Sequence, residues 1–335
     1  MPNILLTERC VRSCPYCFAQ QYMDNKEDKS AITTENLNII IDFLKKSSIK
    51  NISLLGGEPL LHKEINTIIS DLLNQGFMVN VFTSGIMAQS RLKSLADIIH
   101  KFELDLQKRI KFIVNVNEPR LSKKEENKKV EEFLSYLGEN CNLSFNIYRM
   151  DFDINFLVDF IFRYGLNRTI RLGIANPIPG YKNEYIGAEK FKEVGDKLMN
   201  YFDKWYELGI IPFFDCGFPL CMFNDEQIGK LYRYTHNGLD FDCGPTIDIG
   251  PDLSCWCCFP LSKIKRKSLL DFKDYNELYS YFNQIQNSYR KECRGIYKSC
   301  ENCKNYDNEI CGGGCLAHVL NDFLVEGFER ININN

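Results

Sequence analysis

The sequence predicts an α/β fold, in which a partial barrel of six strand-helix units is followed by a smaller, cysteine-rich α+β domain. Three observations support this prediction. Short apolar runs alternate with amphipathic helical stretches, and neighbouring parallel strands need such helices as crossovers. Cysteine and glycine motifs follow the first strands, at the end of a barrel where active sites gather. Eleven of the 15 cysteines lie between Cys216 and Cys315. We therefore predict domains at 1–210 and 211–335.

The alternation of elements can be followed along the chain. The first helix is predicted from Thr33 or Thr34, because either hydroxyl can cap it and Leu37, Ile40, Ile41 and Leu44 then recur along one face. Gly76 suits the left-handed residue that ends the second helix. We predict strands at 4–6, from 51 into a glycine turn, and at 78–83, 110–116, 143–148 and 169–174. The remaining helices are predicted over 65–73 and near 90–102, 122–137, 154–165, 187–208 and 274–290.

The composition is that of an ordinary globular protein, with 335 residues, of which 44% are hydrophobic and 25% charged. No apolar run reaches the ~18 residues needed to span a bilayer, and the N-terminus lacks the basic start of a signal peptide. We therefore expect a cytoplasmic protein without a membrane partner, whose cysteines bind metal rather than form disulfides. The net charge of -3 gives no basic field, so we expect no nucleic-acid partner.

The first strand leads into the sequence Cys-Val-Arg-Ser-Cys-Pro-Tyr-Cys, which carries Cys10, Cys14 and Cys17. This loop is short enough for three thiolates to reach one metal cluster. A four-iron cluster held by three cysteines leaves one iron open for a substrate or cofactor. A zinc site lacking its fourth ligand and a chance grouping of cysteines are the alternatives.

With Tyr16 before and Phe18 after its last cysteine, the motif resembles the signature of the radical S-adenosylmethionine (radical SAM) enzymes. The resemblance implies that Cys10, Cys14 and Cys17 hold a catalytic [4Fe-4S] cluster. It also implies that SAM binds the open iron and is cleaved to a 5′-deoxyadenosyl radical.

The ends of the next strands resemble the SAM site of that family. Gly56, Gly57 and Glu58 match its Gly-Gly-Glu motif, and Thr83 and Ser84 fall where the family has Thr-Asn-Gly. A simple glycine turn is the alternative for the first motif. Amides at the end of the fourth strand can meet ribose hydroxyls, and an arginine in the sixth strand can pair with the methionine carboxylate. The expected SAM contacts are Phe18, Gly56, Gly57, Glu58, Thr83, Ser84, Asn115, Asn117 and Arg171.

The C-terminal cysteines include a metal-binding run, Cys300-x2-Cys303-x7-Cys311-x3-Cys315. Zinc is an alternative to iron and sulfide, because paired cysteines also build zinc ribbons. The run resembles the SPASM extension of radical SAM proteins, with a middle gap two residues longer. Upstream, the chain from Cys243 to Cys258 resembles the SPASM opening, in which Leu253 takes the place of the hairpin glycine.

The SPASM resemblance implies two auxiliary [4Fe-4S] clusters. The first would take Cys243, Cys258 and Cys315, completed by Cys221 or Cys216. The second would take Cys300, Cys303 and Cys311. Its fourth ligand is expected upstream, at Cys293, Cys255 or Cys257, unless His318 or an open iron completes it. The predicted metal ligands beyond the first motif are Cys221, Cys243, Cys258, Cys293, Cys300, Cys303, Cys311 and Cys315.

Relatives with SPASM domains imply hydrogen abstraction from a peptide or protein residue, leading to a crosslink, a thioether or an epimerised residue. We expect maturation of a ribosomal peptide. Because the barrel motifs begin near residue 4, we expect either a separate leader-recognition protein or direct binding of the peptide. We also expect an electron donor such as flavodoxin or ferredoxin. Alternatives are a small-molecule substrate, a sulfatase-maturase-like activity, which Phe259 disfavours because that group has Asp after the hairpin ligand, and a non-enzymatic electron carrier.

Overall fold

A computed structural model describes residues 1–20 and 31–325, with side chains up to residue 321. Its centre is one mixed sheet with the strand order β10-β9-β8-β1-β2-β3-β4-β5-β6-β7. The strands are β1 Asn3–Thr7, β2 Asn51–Gly56, β3 Met78–Thr83, β4 Ile110–Asn115, β5 Cys141–Ile147, β6 Thr169–Ile174, β7 Ile211–Phe214, β8 Ile247–Ile249, β9 Ser254–Cys257 and β10 Arg266–Ser268.

Helices connect the strands and cover one face of the sheet. They are α1 Thr34–Lys46, α2 Ile65–Asn74, α3 Gln89–Lys101, α4 Leu104–Gln107, α5 Lys124–Leu137, α6 Asn155–Tyr164, α7 Phe191–Glu207, α8 Asp225–Tyr234, α9 Tyr275–Cys293, α10 Lys304–Asp307 and α11 Leu316–Val325. No helix within the described ranges has the length and apolar character needed to cross a membrane.

Strands β1 to β7 run parallel in sequence order, as in an open barrel. The predicted α/β fold is confirmed, and the six predicted strands are present. Thr33 caps α1, its hydroxyl accepting a hydrogen bond from the Asn36 amide at 3.1 Å. The helices bury their apolar faces against the outer side of the sheet, which stabilises the barrel through apolar burial.

Several elements were not predicted. Strand β7 extends the parallel series, and β8, β9 and β10 extend the sheet beyond β1. We expected little helix in the cysteine-rich region outside 274–290, yet α8 lies there. A capping box begins α8: the Asn224 side chain accepts from the Gln227 amide, and the Gln227 side chain accepts from the Asn224 amide. This spacing of Asn and Gln is a sequence signal for a helix start.

The C-terminal region is joined to the barrel by backbone hydrogen bonds and a shared core. Strand β8 pairs in parallel with β1, matching Asp248 with Asn3 and Ile249 with Ile4. Leu231, Phe282 and Ile249 belong to the same buried apolar cluster as the barrel. The cysteine-rich region thus contributes apolar residues to the main core. The boundary at residue 210 stays a prediction, and residues 326–335 of the predicted second domain lie outside the described residues.

The inner face of the barrel is more polar than the face that meets the helices. Asn115, Ser144, Arg171 and Phe213 pair in register across β4 to β7, so their side chains share one face. Their neighbours Val114, Leu143 and Ile170 are buried on the opposite face. The inner face therefore offers hydrogen-bonding groups below the loops at the carboxyl ends of the strands.

Candidate active site and cysteine groups

The loop that carries Cys10, Cys14 and Cys17, here called the cysteine loop (residues 10–17), follows β1 at the carboxyl end of the barrel. All three thiols are partly exposed. The Cys10 thiol donates to the Gly57 carbonyl oxygen at 3.3 Å, and the Cys17 amide donates to the Cys14 carbonyl oxygen at 3.0 Å. Burial raises the pKa of both Cys10 and Cys14, so their coordination to a metal would have to release a proton.

The Gly56-Gly57-Glu58 motif holds the start of the cysteine loop. The Gly57 amide donates to the Thr7 carbonyl oxygen, and the Glu58 amide donates to that of Arg9, each at 2.8 Å. A Cβ atom added at Gly57 would overlap the Arg9 carbonyl oxygen and lie 2.9 Å from the Cys10 amide nitrogen. We expected Gly57 to approach a ligand closely, and in the structure Gly57 approaches the backbone that leads to Cys10.

Glu58 lies in a network that ties β2 to β3. Its side chain is 1% exposed. One carboxylate oxygen accepts from the Thr83 hydroxyl at 2.7 Å and from the Leu60 amide at 3.2 Å. The other accepts from the Ser84 amide at 2.7 Å and from its hydroxyl at 2.5 Å. Burial, partly opposed by these donors, raises the pKa of Glu58. The carboxylate therefore positions Thr83 and Ser84 and has few lone pairs left for another donor.

The predicted amides Asn115 and Asn117 meet the cysteine loop through Tyr16. The Tyr16 hydroxyl donates to the Asn117 side-chain oxygen at 2.7 Å and accepts from the Asn115 amide at 3.1 Å. The Tyr16 ring is buried and lies 4.7 Å from the ring of Tyr148. Because Asn115 ends β4, these contacts fix the middle of the loop above the inner face.

Arg171, predicted to pair with a carboxylate of SAM, has a carboxylate partner in the protein. It donates to Asp215 and, at 3.1 Å, to the Ser144 hydroxyl. Its guanidinium also lies over the Phe82 ring, 5.1 Å from the centroid. Asp215, which the sequence did not single out, directly precedes Cys216. The pair links the inner face of β6 to the first residues of the cysteine-rich region.

Phe18, another predicted SAM contact, packs against the C-terminal region. Its ring lies 5.3 Å from that of Phe259, which in turn lies 5.6 Å from Trp256. Leu5, Ala19, Trp256 and Phe259 form a small apolar cluster beside Cys17. The residue after Cys258 is thus in the same neighbourhood as the cysteine loop.

The cysteines of the C-terminal region fall into two groups. The first cysteine group consists of Cys216, Cys243, Cys258 and Cys315. The Cys315 thiol hydrogen-bonds to Cys243 and, with the positive charge of Arg290 and against the effect of burial, lowers the pKa of Cys243 to about 6. A hydrogen bond with Cys257, burial and the charges of Cys257, Cys315 and Cys243 raise the pKa of Cys258. A hydrogen bond with Cys243, burial and the charges of Cys243 and Cys216 raise the pKa of Cys315.

The second cysteine group consists of Cys221, Cys300, Cys303 and Cys311. The Leu220 amide donates to the Cys311 sulfur at 3.4 Å, and the Gly313 amide donates to it at 3.3 Å. Burial, followed by the neighbouring thiols of Cys311, Cys300 and Cys303, raises the pKa of Cys221 to about 11. The sequence left open whether Cys216 or Cys221 joins the first group, and the structure brings Cys221 to the second.

The other candidate ligands lie elsewhere. Cys293 packs beside the apolar cluster of Leu261, Leu316 and Leu320. Cys255 is fully buried in the main core, and the Cys257 thiol donates to the Gln286 side-chain oxygen at 3.2 Å. The His318 ring meets the rings of Tyr185 and Phe191, each at 5.5 Å.

The hairpin that precedes Cys258 keeps the conformation that the resemblance requires. Leu253 has φ +66°, the left-handed conformation for which glycine is the usual residue. Its side chain is buried, so apolar burial offsets part of the backbone strain. The assignment of Cys258 as the hairpin ligand stays a prediction.

The fit of an anionic iron-sulfur cluster can be tested at Arg290. Its side chain is buried, and within residues 1–20 and 31–325 its Nε has no hydrogen-bond partner and no carboxylate pairs with it. It donates to the Gly312 carbonyl oxygen and, at 3.4 and 3.2 Å, to those of Cys243 and Gly314. A buried guanidinium needs a negative partner, and a cluster held by four thiolates would supply one. The first cysteine group therefore fits such a cluster.

Arg12 places a positive charge beside the cysteine loop, where Glu126 is its carboxylate partner. Its side chain is 6% exposed and its Nη1 donates to the Asn115 carbonyl oxygen at 2.8 Å. Its Nε lies 3.5 Å from the Glu126 carboxylate. Against the larger effect of burial, its positive charge lowers the pKa of Cys14.

Among the described residues, no three His, Cys, Asp or Glu side chains are spaced to hold a single metal ion.

Comparison with known proteins identifies the class to which this site belongs. Residues 4–148 match the family model described as "Radical SAM superfamily". This range contains the cysteine loop, the Gly-Gly-Glu motif and the first five strands. Residues 4–148 are thus a radical SAM domain, and the cysteine-rich region lies C-terminal to it.

Two curated relatives match over about 100 residues. The chain is 31% identical over 102 residues to an S-adenosylmethionine-dependent nucleotide dehydratase of Selenomonas ruminantium, covering 30% of this chain and 35% of the relative. It is 28% identical over 101 residues to a 7-carboxy-7-deazaguanine synthase of Aquifex aeolicus, covering 30% of this chain and 44% of the relative. The matched part spans less than half of each relative.

Solved structures resemble the chain over almost its whole length. Streptococcus suis SuiB bound to S-adenosylmethionine has a TM-score of 0.66 and 15% identity, with 95% of this chain and 73% of SuiB covered. SuiB bound to the precursor peptide SuiA has a TM-score of 0.64. Native anSMEcpe with bound AdoMet has a TM-score of 0.64 and 14% identity, with 94% and 89% covered. At these identities the likeness concerns the fold.

Proposed function

We propose that the chain is a radical SAM enzyme that abstracts hydrogen from a residue of a peptide or protein. The observation that carries the proposal is the backbone clamp between residues 7–9 and Gly57-Glu58, which holds Cys10 at the mouth of a barrel with a polar inner face. Cys10, Cys14 and Cys17 would hold a [4Fe-4S] cluster with one open iron, which would supply the electron for reductive cleavage of SAM.

The residues that would hold the cluster and SAM have distinct roles in this proposal. Cys10, Cys14 and Cys17 hold the cluster. Glu58 positions Thr83 and Ser84, and Tyr16 positions the loop against Asn115 and Asn117. Gly56 packs against the Thr7 backbone, the Gly57 carbonyl oxygen lies 3.3 Å from the Cys10 sulfur, and Phe18 offers a half-exposed ring beside Cys17. Arg171 contributes its charge together with Asp215, so it would meet SAM as half of an ion pair.

A peptide substrate is supported by the open edge of the barrel. Among the described strands, β7 pairs with β6 alone and ends the sheet. Phe213 on this edge is 50% exposed and lies on the same face as Arg171. An extended chain can add to a free strand edge while its side chains reach the inner face. The fold is also similar to that of SuiB, whose structure was solved with its precursor peptide.

The C-terminal region would hold two auxiliary [4Fe-4S] clusters of the SPASM type. The two cysteine groups and the buried charge of Arg290 support this part of the proposal. We further propose that a flavodoxin or ferredoxin donates electrons and that a separate protein recognises the leader of the peptide. A cytoplasmic location remains a prediction.

A sulfatase-maturase-like reaction has less support. Phe259 follows Cys258 and packs on Phe18 and Trp256, so no carboxylate enters this neighbourhood from that position. A small-molecule substrate is the second candidate, because curated relatives include a nucleotide dehydratase and a probable GTP 3′,8-cyclase of Methanocaldococcus jannaschii. Those matches cover less than a third of this chain and therefore say little about substrate.

The proposal is tested with the full chain reconstituted anaerobically with iron and sulfide. With SAM and dithionite we expect 5′-deoxyadenosine to form, and we expect its formation to stop in the Cys10→Ala, Cys14→Ala and Cys17→Ala variants. Peptides encoded by short reading frames beside the gene should raise the rate of 5′-deoxyadenosine formation, and their mass should change. GTP should not raise this rate. Stimulation by GTP alone would favour the small-molecule candidate, and the absence of SAM cleavage would favour an electron carrier.

A further inference from the structure

Cys216 and Cys221 lie close together in the sequence, on the connection between β7 and α8. The run Cys300-Cys303-Cys311 needs a fourth ligand, and the chain has no cysteine after Cys315. The positions of the two thiols on this short connection therefore decide which cysteine completes each auxiliary cluster.

Cys221 is held against the second cysteine group. It lies in a single 3-10 turn, Leu220–Met222, whose first amide donates to the Cys311 sulfur at 3.4 Å. A Cβ atom added at Gly295 would lie 2.5 Å from the Cys300 sulfur and 2.9 Å from the Gly313 Cα, and the Gly313 amide donates to the Cys311 sulfur, so Cys300 lies in the same neighbourhood. The Cys221 side chain is exposed, so it can reach a cluster without displacing core residues.

Cys216 is directed to the first cysteine group instead. The next residue, Gly217, has φ +100°, and a Cβ atom added there would lie 3.3 Å from the Cβ of Cys315. The chain thus reverses at Gly217, a conformation that a residue with a side chain rarely adopts. Because of this turn, the Cys216 thiol lies near the first cysteine group and the Cys221 thiol lies near the second.

The competing ligands make contacts that hold them away from the second group. Cys257 donates to Gln286, Cys255 is enclosed in the main core, and Cys293 packs with Leu316 and Leu320. The His318 ring lies between Tyr185 and Phe191 and is 5% exposed. Each of these side chains would have to leave a packed position to reach Cys300.

We infer that Cys221 is the fourth ligand of the second auxiliary cluster and that Cys216 is the fourth ligand of the first. This inference rests on the auxiliary clusters of the proposed function. Both clusters are then coordinated by cysteine alone, and neither has an open iron. The substrate consequently does not bind to an auxiliary iron, and the two clusters are suited to electron transfer.

The test uses the full chain with Cys10, Cys14 and Cys17 all changed to Ala, so that iron signals come from the auxiliary clusters alone. This parent should bind about eight iron atoms per chain. Adding Cys221→Ser should remove or shift the electron paramagnetic resonance signal of one cluster, and adding Cys216→Ser should affect the other. The matched control Cys293→Ser should leave both signals as in the parent.

Three outcomes would overturn the assignment: an unchanged spectrum in Cys221→Ser, the same signal altered by both serine variants, or loss of the second signal in Cys293→Ser. A parent that binds no iron would instead contradict the auxiliary clusters themselves.

A second measurement does not depend on the folding of a variant. The native, reconstituted chain is alkylated with iodoacetamide before and after removal of iron by a chelator, and each cysteine is quantified by mass spectrometry. Coordinated thiolates are protected, so Cys221 should be alkylated at least about tenfold more slowly before chelation. Equal rates at the exposed Cys221 would refute its role as a ligand.

Discussion

The guanidinium of Arg290 donates a hydrogen bond to the carbonyl oxygen of Cys243 at 3.4 Å. The Gln286 side chain, one helical turn earlier on α9, donates to the same carbonyl oxygen. Among the side chains that the structure describes, no carboxylate pairs with Arg290, so an unpaired buried positive charge lies beside the first cysteine group.

Replacing Arg290 should change the reduction potential of the first auxiliary cluster. A nearby positive charge favours the more negative, reduced cluster, so Arg290→Met should lower the potential by tens of millivolts. Arg290→Lys keeps the charge and should lie nearer to the wild-type value. The measurement is a redox titration followed by electron paramagnetic resonance, with thermal melting of each variant as the folding control. Equal potentials in the Met variant and the wild type would contradict the role of the charge.

Gly57→Ala should prevent assembly of the SAM-binding cluster. An added methyl group would overlap the Arg9 carbonyl oxygen and push Cys10 from its position, at a cost of at least about 2 kcal/mol in unfolding free energy. Gly229→Ala is the matched control, because Gly229 lies in α8 with open space around it and should become more stable by up to about 1 kcal/mol. Iron content and urea unfolding measure the two effects. A Gly57→Ala protein with a full complement of iron would refute the clamp.

Glu58→Gln should loosen the link between β2 and β3. In the variant, the side-chain NH2 of the new glutamine would replace one of the two carboxylate oxygens and would face a hydrogen-bond donor, either the Thr83 hydroxyl or the Ser84 amide. Because two donors cannot hydrogen-bond to each other, the variant should lose about 2 kcal/mol of unfolding free energy. Thr83→Ser keeps the hydroxyl and serves as the control. Chemical denaturation gives the stability, and equilibrium dialysis gives SAM affinity, which should also fall. If Glu58→Gln has the same unfolding free energy as the wild type, the hydrogen-bond network around Glu58 contributes little to stability.

Asp248 should make stability depend on pH. It accepts from the Asn3 amide at 2.7 Å, and burial, opposed by Asn3, Trp256 and Arg266, raises the pKa of Asp248 to about 7. Because the folded pKa is raised above that of the unfolded chain, its favourable contribution is full below about pH 4 and is lost as the pH rises toward 7.

The variant Asp248→Asn cannot ionise, so it should gain stability relative to the wild type progressively between about pH 4 and pH 7. Urea unfolding across this range measures the difference. Parallel stability curves for the two proteins would mean that Asp248 does not titrate there.

Much of the barrel could be predicted because its signals are local. The apolar periodicity gave α1 and α2 nearly residue by residue, and β3 and β6 have their predicted bounds. The strands β7 to β10 have only three or four residues each, too few for periodicity to be distinguished from chance. The pairing of β8 with β1 joins residues about 245 positions apart, which no local pattern reports.

The candidate site could be predicted in its residue types but not in its partners. The cysteine motifs indicated which thiols to predict as ligands, whereas the pairing of Arg171 with Asp215 depends on the neighbouring strands β6 and β7. Gln286 and Arg290 had a weak signal, since they continue the spacing of the buried Leu278 and Phe282 along α9. Polar residues at buried positions of an apolar stripe indicate a specific polar neighbour.

The pairing of β8 with β1 also affects how the protein is made. Strand β1 is synthesised first, yet its outer edge gains a neighbour only when residues 247–249 have left the ribosome. At roughly 5–20 residues per second, the nascent barrel waits more than about ten seconds with an uncovered edge. A chaperone that covers this edge, or slow translation before residue 247, would therefore influence how many chains reach the native state.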